Sequence, residues 1–446
     1  MLPGSSDIWR VVISGGVVIL AAAVAVAVTC APCSSGQLFL RPKHPRPQGN
    51  YVLGMLRARL PPAPGHTDRG LLAQVHYPAD VHAGAHQNVK NVEYCRPSVV
   101  DAIAEGYNIP RFVVRLLLGG QSQVDPPYPM LACQGMDKSK GWPVVLFSSG
   151  LWGCCELYTQ LCRELASEGY IVVTLEFEDG SSAVASSRTN GEPISYIEQP
   201  PWPYDTVDFN KGFLEQRSAA LDEAILALQA VAATPPNSAS ALQPAEAALD
   251  NVLRGADPDR LLLAGHSFGA ASLVHYMTKA VPAAPSSRVV AGVLLMDLWP
   301  GALSTDLSGS ELRTLGAEFP VPFVLLVSEG WQKLEWYSPS IREFAAAAGS
   351  TRCLAASIVR GAVHTWISDS HIWAPGWLLR ALTVMGPGDW GRVWPATAKA
   401  LQLAIRALGN DDSRDAVVLC KGLAALEPEI TPLLKTDFSG CRSSAK

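Results

Sequence analysis

Residues 260–277 constrain the fold of this chain more than any other stretch. Four apolar residues, Leu261–Ala264, run directly into Gly-His-Ser-Phe-Gly at residues 265–269, and an apolar run with helical spacing follows. This pattern predicts a strand, a sharp turn and a helix. Such a turn strains the backbone of its serine and lifts the hydroxyl above the sheet edge, and glycines two positions either side let strand and helix close around it. We therefore predict that Ser267 is a nucleophile; the alternative is a glycine-rich helix start.

Other apolar runs have the length of buried strands, and helical periodicity separates several of them. The predicted strands are Leu71–Tyr77, Trp142–Ser148, Tyr170–Glu176, Val289–Met296, Phe323–Val327 and Ala355–Val359. The predicted helices are Ile109–Leu118, Leu157–Ser167, Phe213–Ala233 and Pro395–Leu408. Strands that alternate with helices build parallel sheets whose functional loops lie at the carboxyl ends of the strands. The order predicts an α/β-hydrolase fold, with a mostly parallel central sheet, helices on both faces and a nucleophile elbow.

A serine hydroxyl becomes nucleophilic only when a positioned base takes its proton, and an imidazole base needs a carboxylate to fix its tautomer. His364 follows the last predicted strand and is the expected base, with His371 as the alternative. Asp297 and Glu329 each follow a strand beyond the serine, so the pattern leaves the acid open between them. His266 lies inside the elbow, where we expect a structural role.

Two loops adjoin this expected site. The loop after Trp142–Ser148 is rich in glycine at residues 149–153 and exposes backbone N–H groups, where this architecture places half of an oxyanion hole. The segment Gly180–Asn210 is rich in Ser, Gly, Pro and Tyr and is too long for a simple connector. We predict that it is an insertion over the face that carries the site.

Composition excludes several classes of function. The chain has 48% hydrophobic and 17% charged residues, which is typical of a globular protein. A net charge of −5 without a run of basic residues argues against a nucleic-acid partner. The 10 Cys show no metal-binding pattern, since the pair Cys30 and Cys33 has no second pair. We expect neither a metal nor a cofactor.

The N-terminus is a separate unit. Val11–Val28 is uncharged, almost wholly apolar and just long enough to span a bilayer core. Residues 1–35 are therefore expected to be a signal anchor or a cleaved signal peptide, which makes the protein membrane-associated or secreted, with the side of the membrane open. Residues 36–50 are a predicted linker, residues 51–410 the catalytic domain and residues 411–446 a C-terminal tail.

A second segment has a pattern that suits a membrane surface. Arg111 and Arg115 lie four residues apart on one face of the predicted helix Ile109–Leu118, among large apolar side chains. A helix that caps a lipid pocket is a second interpretation. An ordinary buried helix with two solvent-reaching arginines is the third.

These motifs resemble those of the platelet-activating factor acetylhydrolases, the plasma and type II intracellular serine lipases also called lipoprotein-associated phospholipases A2. The resemblance extends over residues 50–410 and is carried by Arg115–Gly119, Val145–Gly153, Glu164–Val172, Glu176–Ser181, the elbow, Leu295–Asp297 and Arg360–His364. It implies Ser267 as nucleophile, His364 as base and Asp297 rather than Glu329 as acid. It also implies that the backbone N–H groups of Leu151 and Phe268 form the oxyanion hole.

The chain departs from the family pattern at three positions. Ser149 stands where the family usually has His, Trp152 where Gly is common, and Ala270 where a third Gly often follows the elbow. The first two are expected to alter the shape of the oxyanion loop or the pocket.

The resemblance implies an esterase that removes an acetyl, short or oxidised acyl chain from the sn-2 position of a phospholipid without calcium. The products are a lysophospholipid and a carboxylate. A general carboxylesterase or a lipase for longer acyl chains is the alternative among enzymes. A non-catalytic, membrane-anchored, hydrolase-like binding protein is the alternative of a different class.

Overall fold

A computed structural model describes most of the chain from residue 44 onward. The described ranges are 44–66, 69–84, 92–118, 125–132, 141–201, 203–233, 243–280, 289–306, 308–373, 376–409 and 413–434. The predicted membrane segment Val11–Val28 lies outside them. Within these ranges, no helix combines the length and the apolar character that crossing a bilayer requires.

The central structure is a nine-stranded sheet with the strand order β1-β2-β4-β3-β7-β8-β9-β10-β11, and β5 and β6 form a separate hairpin. The strands are β1 Leu53–Arg59, β2 Leu72–Pro78, β3 Trp142–Ser148, β4 Ile171–Leu175, β5 Val184–Ser186, β6 Pro193–Ser195, β7 Ala256–His266, β8 Val290–Met296, β9 Phe323–Ser328, β10 Cys353–Val359 and β11 Ile430–Pro432. Strands β4, β3, β7, β8, β9 and β10 run parallel, and the outer strands pair antiparallel. The predicted mostly parallel sheet is confirmed.

Thirteen α-helices are defined in the described part of the chain. They are α1 Val81–Gly84, α2 Pro97–Gly106, α3 Arg111–Leu118, α4 Thr159–Ala166, α5 Thr206–Ala233, α6 Pro244–Arg254, α7 Phe268–His275, α8 Ser310–Glu318, α9 Glu329–Gln332, α10 Ser338–Ala348, α11 Gly376–Ala381, α12 Trp390–Gly409 and α13 Ser413–Ala424. Short 3-10 turns lie at Cys155–Tyr158, Pro300–Ala302 and Asp369–Ile372, and a π-turn follows α7 at Tyr276–Ala280.

Side chains that alternate along the strands pack into two hydrophobic cores, one on each face of the sheet. On β7, Leu261 and Leu263 belong to one core, whereas Leu262 and Ala264 belong to the other. This alternation follows from the two-residue period of a strand. Helices α5, α6, α7, α8 and α10 cover the first face, and α2, α3, α4, α12 and α13 cover the second. Helices on both faces are therefore confirmed.

Two helices begin earlier than the sequence predicted, because aspartates bind their first free N–H groups. The Asp205 carboxylate accepts hydrogen bonds from the N–H groups of Val207 (2.9 Å) and Asp208 (3.0 Å), so α5 begins at Thr206. Asp389 binds the N–H of Gly391 in the same way at the start of α12. The segment predicted as an insertion, Gly180–Asn210, thus contains the β5–β6 hairpin and the first turn of α5.

Two strands of the central sheet, β1 and β11, were not predicted, and neither was the separate β5–β6 hairpin. β1 contains Gly54 and two arginines, Arg57 and Arg59, so it lacks an apolar run. Arg57 pairs with the buried carboxylate of Glu156, and Arg59 pairs with the partly buried carboxylate of Glu178. β11 lies within the predicted C-terminal tail and pairs with β10 at the edge of the sheet.

Candidate active site

Ser267 lies at the point where β7 becomes α7. Its backbone has φ 56° and ψ −119°, a left-handed conformation that is unfavourable for a residue with a side chain. A Cβ on Gly269 would lie 2.0 Å from the carbonyl oxygen of Ser148, and one on Gly265 would lie 2.8 Å from the carbonyl carbon of Gly269. The two glycines therefore allow the close backbone approach that holds this strained turn.

Three side chains from separate parts of the chain meet at this turn. The Nε2 atom of His364 lies 2.9 Å from Ser267 Oγ, and its Nδ1 atom lies 3.1 Å from Asp297 Oδ2. Asp297 follows β8 directly, and His364 lies in the loop after β10. Asp297 is fully buried, whereas the His364 side chain is 18% exposed. One imidazole thus bridges a hydroxyl and a carboxylate, which is the geometry of a serine–histidine–acid triad.

Ser328 fixes the Asp297 carboxylate. Its backbone N–H donates to Asp297 Oδ1 at 2.6 Å, and its hydroxyl donates to Oδ2 at 2.7 Å. Both bonds are buried and charge-assisted. This role was not predicted from the sequence, in which the position of Ser328 at the end of a predicted strand is the only signal.

His364 is held between two other rings. The indole of Trp331, on α9, stacks on it with ring centroids 3.7 Å apart and an interplanar angle of 9°. His266 lies on the other side at 4.6 Å and 34°. A face-to-face stack at this distance restricts the plane of the imidazole ring. The role of Trp331 was not predicted from the sequence.

His266 has the structural role that its place in the elbow predicts. Its Nε2–H donates to the backbone carbonyl of His364 at 3.0 Å, so its Nδ1 accepts from the Tyr158 hydroxyl at 3.0 Å. The Tyr158 oxygen in turn accepts the N–H of Gly150 at 3.2 Å. Burial, and then the nearby His364, keep the pKa of His266 well below its usual value. A neutral imidazole therefore links the loop of His364 to the glycine-rich loop.

The structure separates the two rival candidates from the triad. The carboxylate of Glu329 accepts the N–H of Gly361 at 2.7 Å and pairs with Lys333 at 2.9 Å; the Gly361 bond and then Lys333 lower its pKa. His371 has its Nδ1 atom 2.6 Å from the carbonyl oxygen of Ser368, and burial lowers its pKa to about 4. His371 also packs against both Trp390 and Trp394.

The glycine-rich loop lies directly against Ser267. A Cβ on Gly150 would lie 3.2 Å from the Cβ of Ser267. Trp152 has φ 57°, and its N–H donates to the carbonyl of Ser181 at 2.8 Å. Leu151 precedes it, and Phe268 is the first residue of α7, where N–H groups have no partner within the helix. In the part of the chain that the structure describes, neither the N–H of Leu151 nor that of Phe268 donates a hydrogen bond to a backbone carbonyl of a turn or loop.

The two departures in this loop have structural consequences. The Trp152 ring packs edge-to-face against Tyr107 with centroids 5.1 Å apart, so it faces the C-terminal end of α2. The Ser149 side chain is buried, and its carbonyl accepts a hydrogen bond from Arg217. Trp152 thus adds a large apolar surface next to the expected oxyanion loop.

Two groups of side chains bring possible metal ligands within 4.8 Å of one another. They are His266, Asp297 and His364, and Cys155, Glu156 and Glu176. In the first group, the side chains of His266, Asp297 and His364 already form hydrogen bonds with neighbouring protein groups. In the second group, Arg96 binds both carboxylates. Across the ranges given above, neither group therefore presents a free ligand set.

Comparisons with known proteins agree on one family. A family model described as "Platelet-activating factor acetylhydrolase, isoform II" matches residues 41–407. A putative phospholipase A2 of Schizosaccharomyces pombe is 27% identical over 150 residues, which cover 29% of this chain and 33% of that protein. The platelet-activating factor acetylhydrolase of Cavia porcellus is 25% identical over 202 residues, covering 43% and 41%. That of Canis lupus familiaris is 21% identical over 236 residues, covering 51% and 48%. The chain thus spans less than half the length of these relatives.

A solved structure supports the fold alone. The ferulic acid esterase of Streptomyces cinnamoneus aligns with a TM-score of 0.52 at 16% sequence identity. The alignment covers 90% of this chain and 100% of that one.

Proposed function

Because the chain belongs to the platelet-activating factor acetylhydrolase isoform II family, we propose that it is a serine esterase for phospholipids with a short sn-2 chain. In this proposal it hydrolyses the acetyl, short or oxidised acyl ester of platelet-activating-factor-like phospholipids to a lysophospholipid and a carboxylate, without calcium. Membership in the family supports ester hydrolysis. The acyl preference and calcium independence are the finer part of the proposal.

The observation that carries the proposal is the position of the His364 imidazole between Ser267 Oγ (2.9 Å) and Asp297 Oδ2 (3.1 Å). In the acylation step, Ser267 Oγ attacks the ester carbonyl carbon while His364 Nε2 takes the hydroxyl proton. Asp297 accepts the Nδ1–H and stabilises the imidazolium. The imidazolium then gives its proton to the departing lysophospholipid oxygen.

Deacylation uses the same groups. A water molecule attacks the acyl-serine carbonyl while His364 takes one of its protons. His364 gives that proton to Ser267 Oγ as the carboxylic acid leaves, and the acid then loses its remaining proton to water to become the carboxylate. In both steps the N–H groups of Leu151 and Phe268 bind the developing oxyanion. Each such donor typically contributes about 3 to 4 kcal/mol to the transition state. Because these groups carry the charge stabilisation, the mechanism requires no calcium.

Helix α3 is the proposed contact with the lipid surface. The Phe112 side chain is 73% exposed, whereas Val113, Val114 and Leu118 of the same helix are buried. The exposed Arg115 pairs with Asp101. An exposed aromatic residue next to arginines suits the boundary between phospholipid head groups and acyl chains. The division into an N-terminal anchor or signal peptide, a linker, a catalytic domain and a tail likewise remains a proposal.

The test is hydrolysis of two phosphatidylcholines in the presence of a calcium chelator, one with an sn-2 acetyl group and one with a long sn-2 acyl chain. We expect the wild type to prefer the acetyl substrate and Ser267→Ala to be inactive. Ser308→Ala, on an exposed loop, is the matched control and keeps wild-type turnover.

Four other outcomes would overturn parts of the proposal. Preference for the long chain indicates a lipase, and loss of activity in the chelator refutes calcium independence. A wild type that is inactive on both lipids yet reacts with a fluorophosphonate is an esterase for another substrate. Failure to react with the fluorophosphonate as well favours a binding protein.

A further inference from the structure

Arg217, on α5, is a buried cation behind the loop that the proposed mechanism uses for the oxyanion. Its side chain is 0% exposed. A fully buried guanidinium is unusual, because its charge loses hydration and must be offset by fixed partners. The partners of Arg217 are therefore informative about its role.

The guanidinium holds the loop on both sides of Leu151. Its Nη1 donates to the Ser149 carbonyl oxygen at 2.5 Å. Its Nη2 and Nε donate to the Ser181 hydroxyl at 2.7 Å and 3.0 Å, and the Ser181 carbonyl accepts the N–H of Trp152 at 2.8 Å. Because the peptide units before and after Gly150–Leu151 are both held in this way, the direction of the Leu151 N–H is fixed.

The same group contacts the residue that carries the second expected donor. The guanidinium carbon lies 4.8 Å from the centroid of the Phe268 ring and 4.2 Å from that of Phe177. The two rings pack against the cation, a favourable contact when water is excluded. Asp179 Oδ2 is its nearest carboxylate oxygen, 3.5 Å from Nε.

We propose that Arg217 is a positioning residue that aligns the two oxyanion donors, Leu151 and Phe268, and places a positive charge behind them. This inference rests on the proposed esterase function. A lysine cannot replace the arginine, since its single ammonium lacks the planar fork that reaches Ser149 and Ser181 together. The charge acts on the oxyanion, so the effect of the residue falls on the transition state rather than on substrate binding.

The experiment compares Arg217→Lys with Arg163→Lys on a soluble acetate ester. Arg163 is the matched control, because it is also buried and bonded to a carboxylate and a backbone carbonyl, those of Asp125 and Pro45. We expect Arg217→Lys to lower kcat by about 10²-fold, the loss seen when an oxyanion donor is removed, with KM changed less than threefold. Arg163→Lys keeps kcat within about threefold, in the range of a substitution outside the site.

The affinity for a trifluoromethyl ketone inhibitor distinguishes alignment of the oxyanion donors from a purely structural role of Arg217. Ser267 Oγ adds to its carbonyl, His364 takes the proton, and the resulting hemiketal oxygen carries the negative charge. We expect the affinity for this inhibitor to fall in Arg217→Lys by the same factor as kcat/KM. Unchanged inhibitor affinity, or a kcat like that of the wild type, overturns the inference.

A second variant covers the case in which Arg217→Lys does not fold. Ser181→Ala removes the hydroxyl that accepts two of the guanidinium bonds but leaves the cation in place. We expect it to reduce kcat and inhibitor affinity together by at least about tenfold, since the loss of even one charge-assisted hydrogen bond has an effect of about that size. If both parameters match the wild type, Arg217 does not align the loop through Ser181 and the inference fails. Absence of ester hydrolysis in the wild type is a different result, since it refutes the proposed function.

Discussion

Replacing Gly269 by alanine gives a direct test of how the elbow and the oxyanion loop are joined. A Cβ at this position would lie 2.0 Å from the Ser148 carbonyl oxygen and 2.6 Å from that of Ser149. Both atoms are backbone atoms and cannot rotate away. Since ordinary contacts begin at 3.4 Å, the elbow and the loop must separate by about 1.4 Å, a shift large enough to misplace the reacting groups.

The size of the expected effect follows from this displacement. Overfilling a tightly packed site destabilises a protein by about 1 to 3 kcal/mol. A misplacement of about 1 Å at a reacting centre lowers the rate by roughly 10²-fold. The loop that moves carries Leu151, one of the two expected oxyanion donors. We therefore expect kcat to fall at least a hundredfold, with a smaller loss of thermal stability.

Gly212→Ala is the matched control. Gly212 lies within α5, and no heavy atom lies within 4 Å of a Cβ placed there. Alanine in a helix is about 1 kcal/mol more favourable than glycine. This variant should keep wild-type kcat and unfold at the same or a higher temperature. The assay is turnover of a soluble acetate ester together with thermal unfolding. A Gly269→Ala enzyme with kcat within threefold of the wild type would refute the reasoning.

Three further predictions concern the acid, the lipid surface and pH. Asp297→Asn should lower kcat by about 10⁴-fold, whereas Glu329→Gln, which loses only loop contacts, should keep turnover; equal losses would contradict the assignment of the acid. Phe112→Ser should weaken liposome association while soluble-ester turnover is retained, whereas Val418→Ser, at a position 55% exposed on α13, should change neither; unchanged association in Phe112→Ser would remove the membrane role of α3. Burial raises the pKa of Asp369 to about 7, whereas its pKa in the unfolded chain is about 3.9. The contribution of Asp369 to the free energy of unfolding should therefore decline as pH rises from about 4 to about 7. Urea unfolding at several pH values should show that decline reduced in Asp369→Asn, and an unaltered slope would contradict it.

The nucleophile elbow could be predicted because its cause is local. Gly265 and Gly269 are required by backbone contacts within a few residues of Ser267, and such spacing is visible in any sequence. The strands around it are continuous apolar runs, which a buried parallel strand demands. The position of His364 could be predicted in the same way, since it follows the end of a predicted strand.

The choice between Asp297 and Glu329 shows where local reasoning ends. Both follow a strand at the same edge of the sheet, so position does not separate them. The structure turns the carboxylate of Glu329 toward the N–H of Gly361 and that of Asp297 toward His364. That difference depends on the loop after β10, which no pattern around either carboxylate describes.

Residues that support the site were missed for a related reason. Trp331 and Arg217 look like ordinary members of short or amphipathic helices, and only tertiary packing brings them against His364 and Ser149. Arg217 is 68 residues from Ser149 in sequence. An arginine in a helix is mostly exposed, so its complete burial is not predictable from the helix alone.

The most direct test of the central claim is the site at which a fluorophosphonate reacts. The purified protein is treated with the probe, digested and mapped by mass spectrometry, with His364→Ala and His371→Ala alongside. The account predicts one adduct, on Ser267, formed at the wild-type rate in His371→Ala and far more slowly in His364→Ala. An adduct on another residue, or none on the folded wild type, would contradict the assignment of Ser267 as the nucleophile.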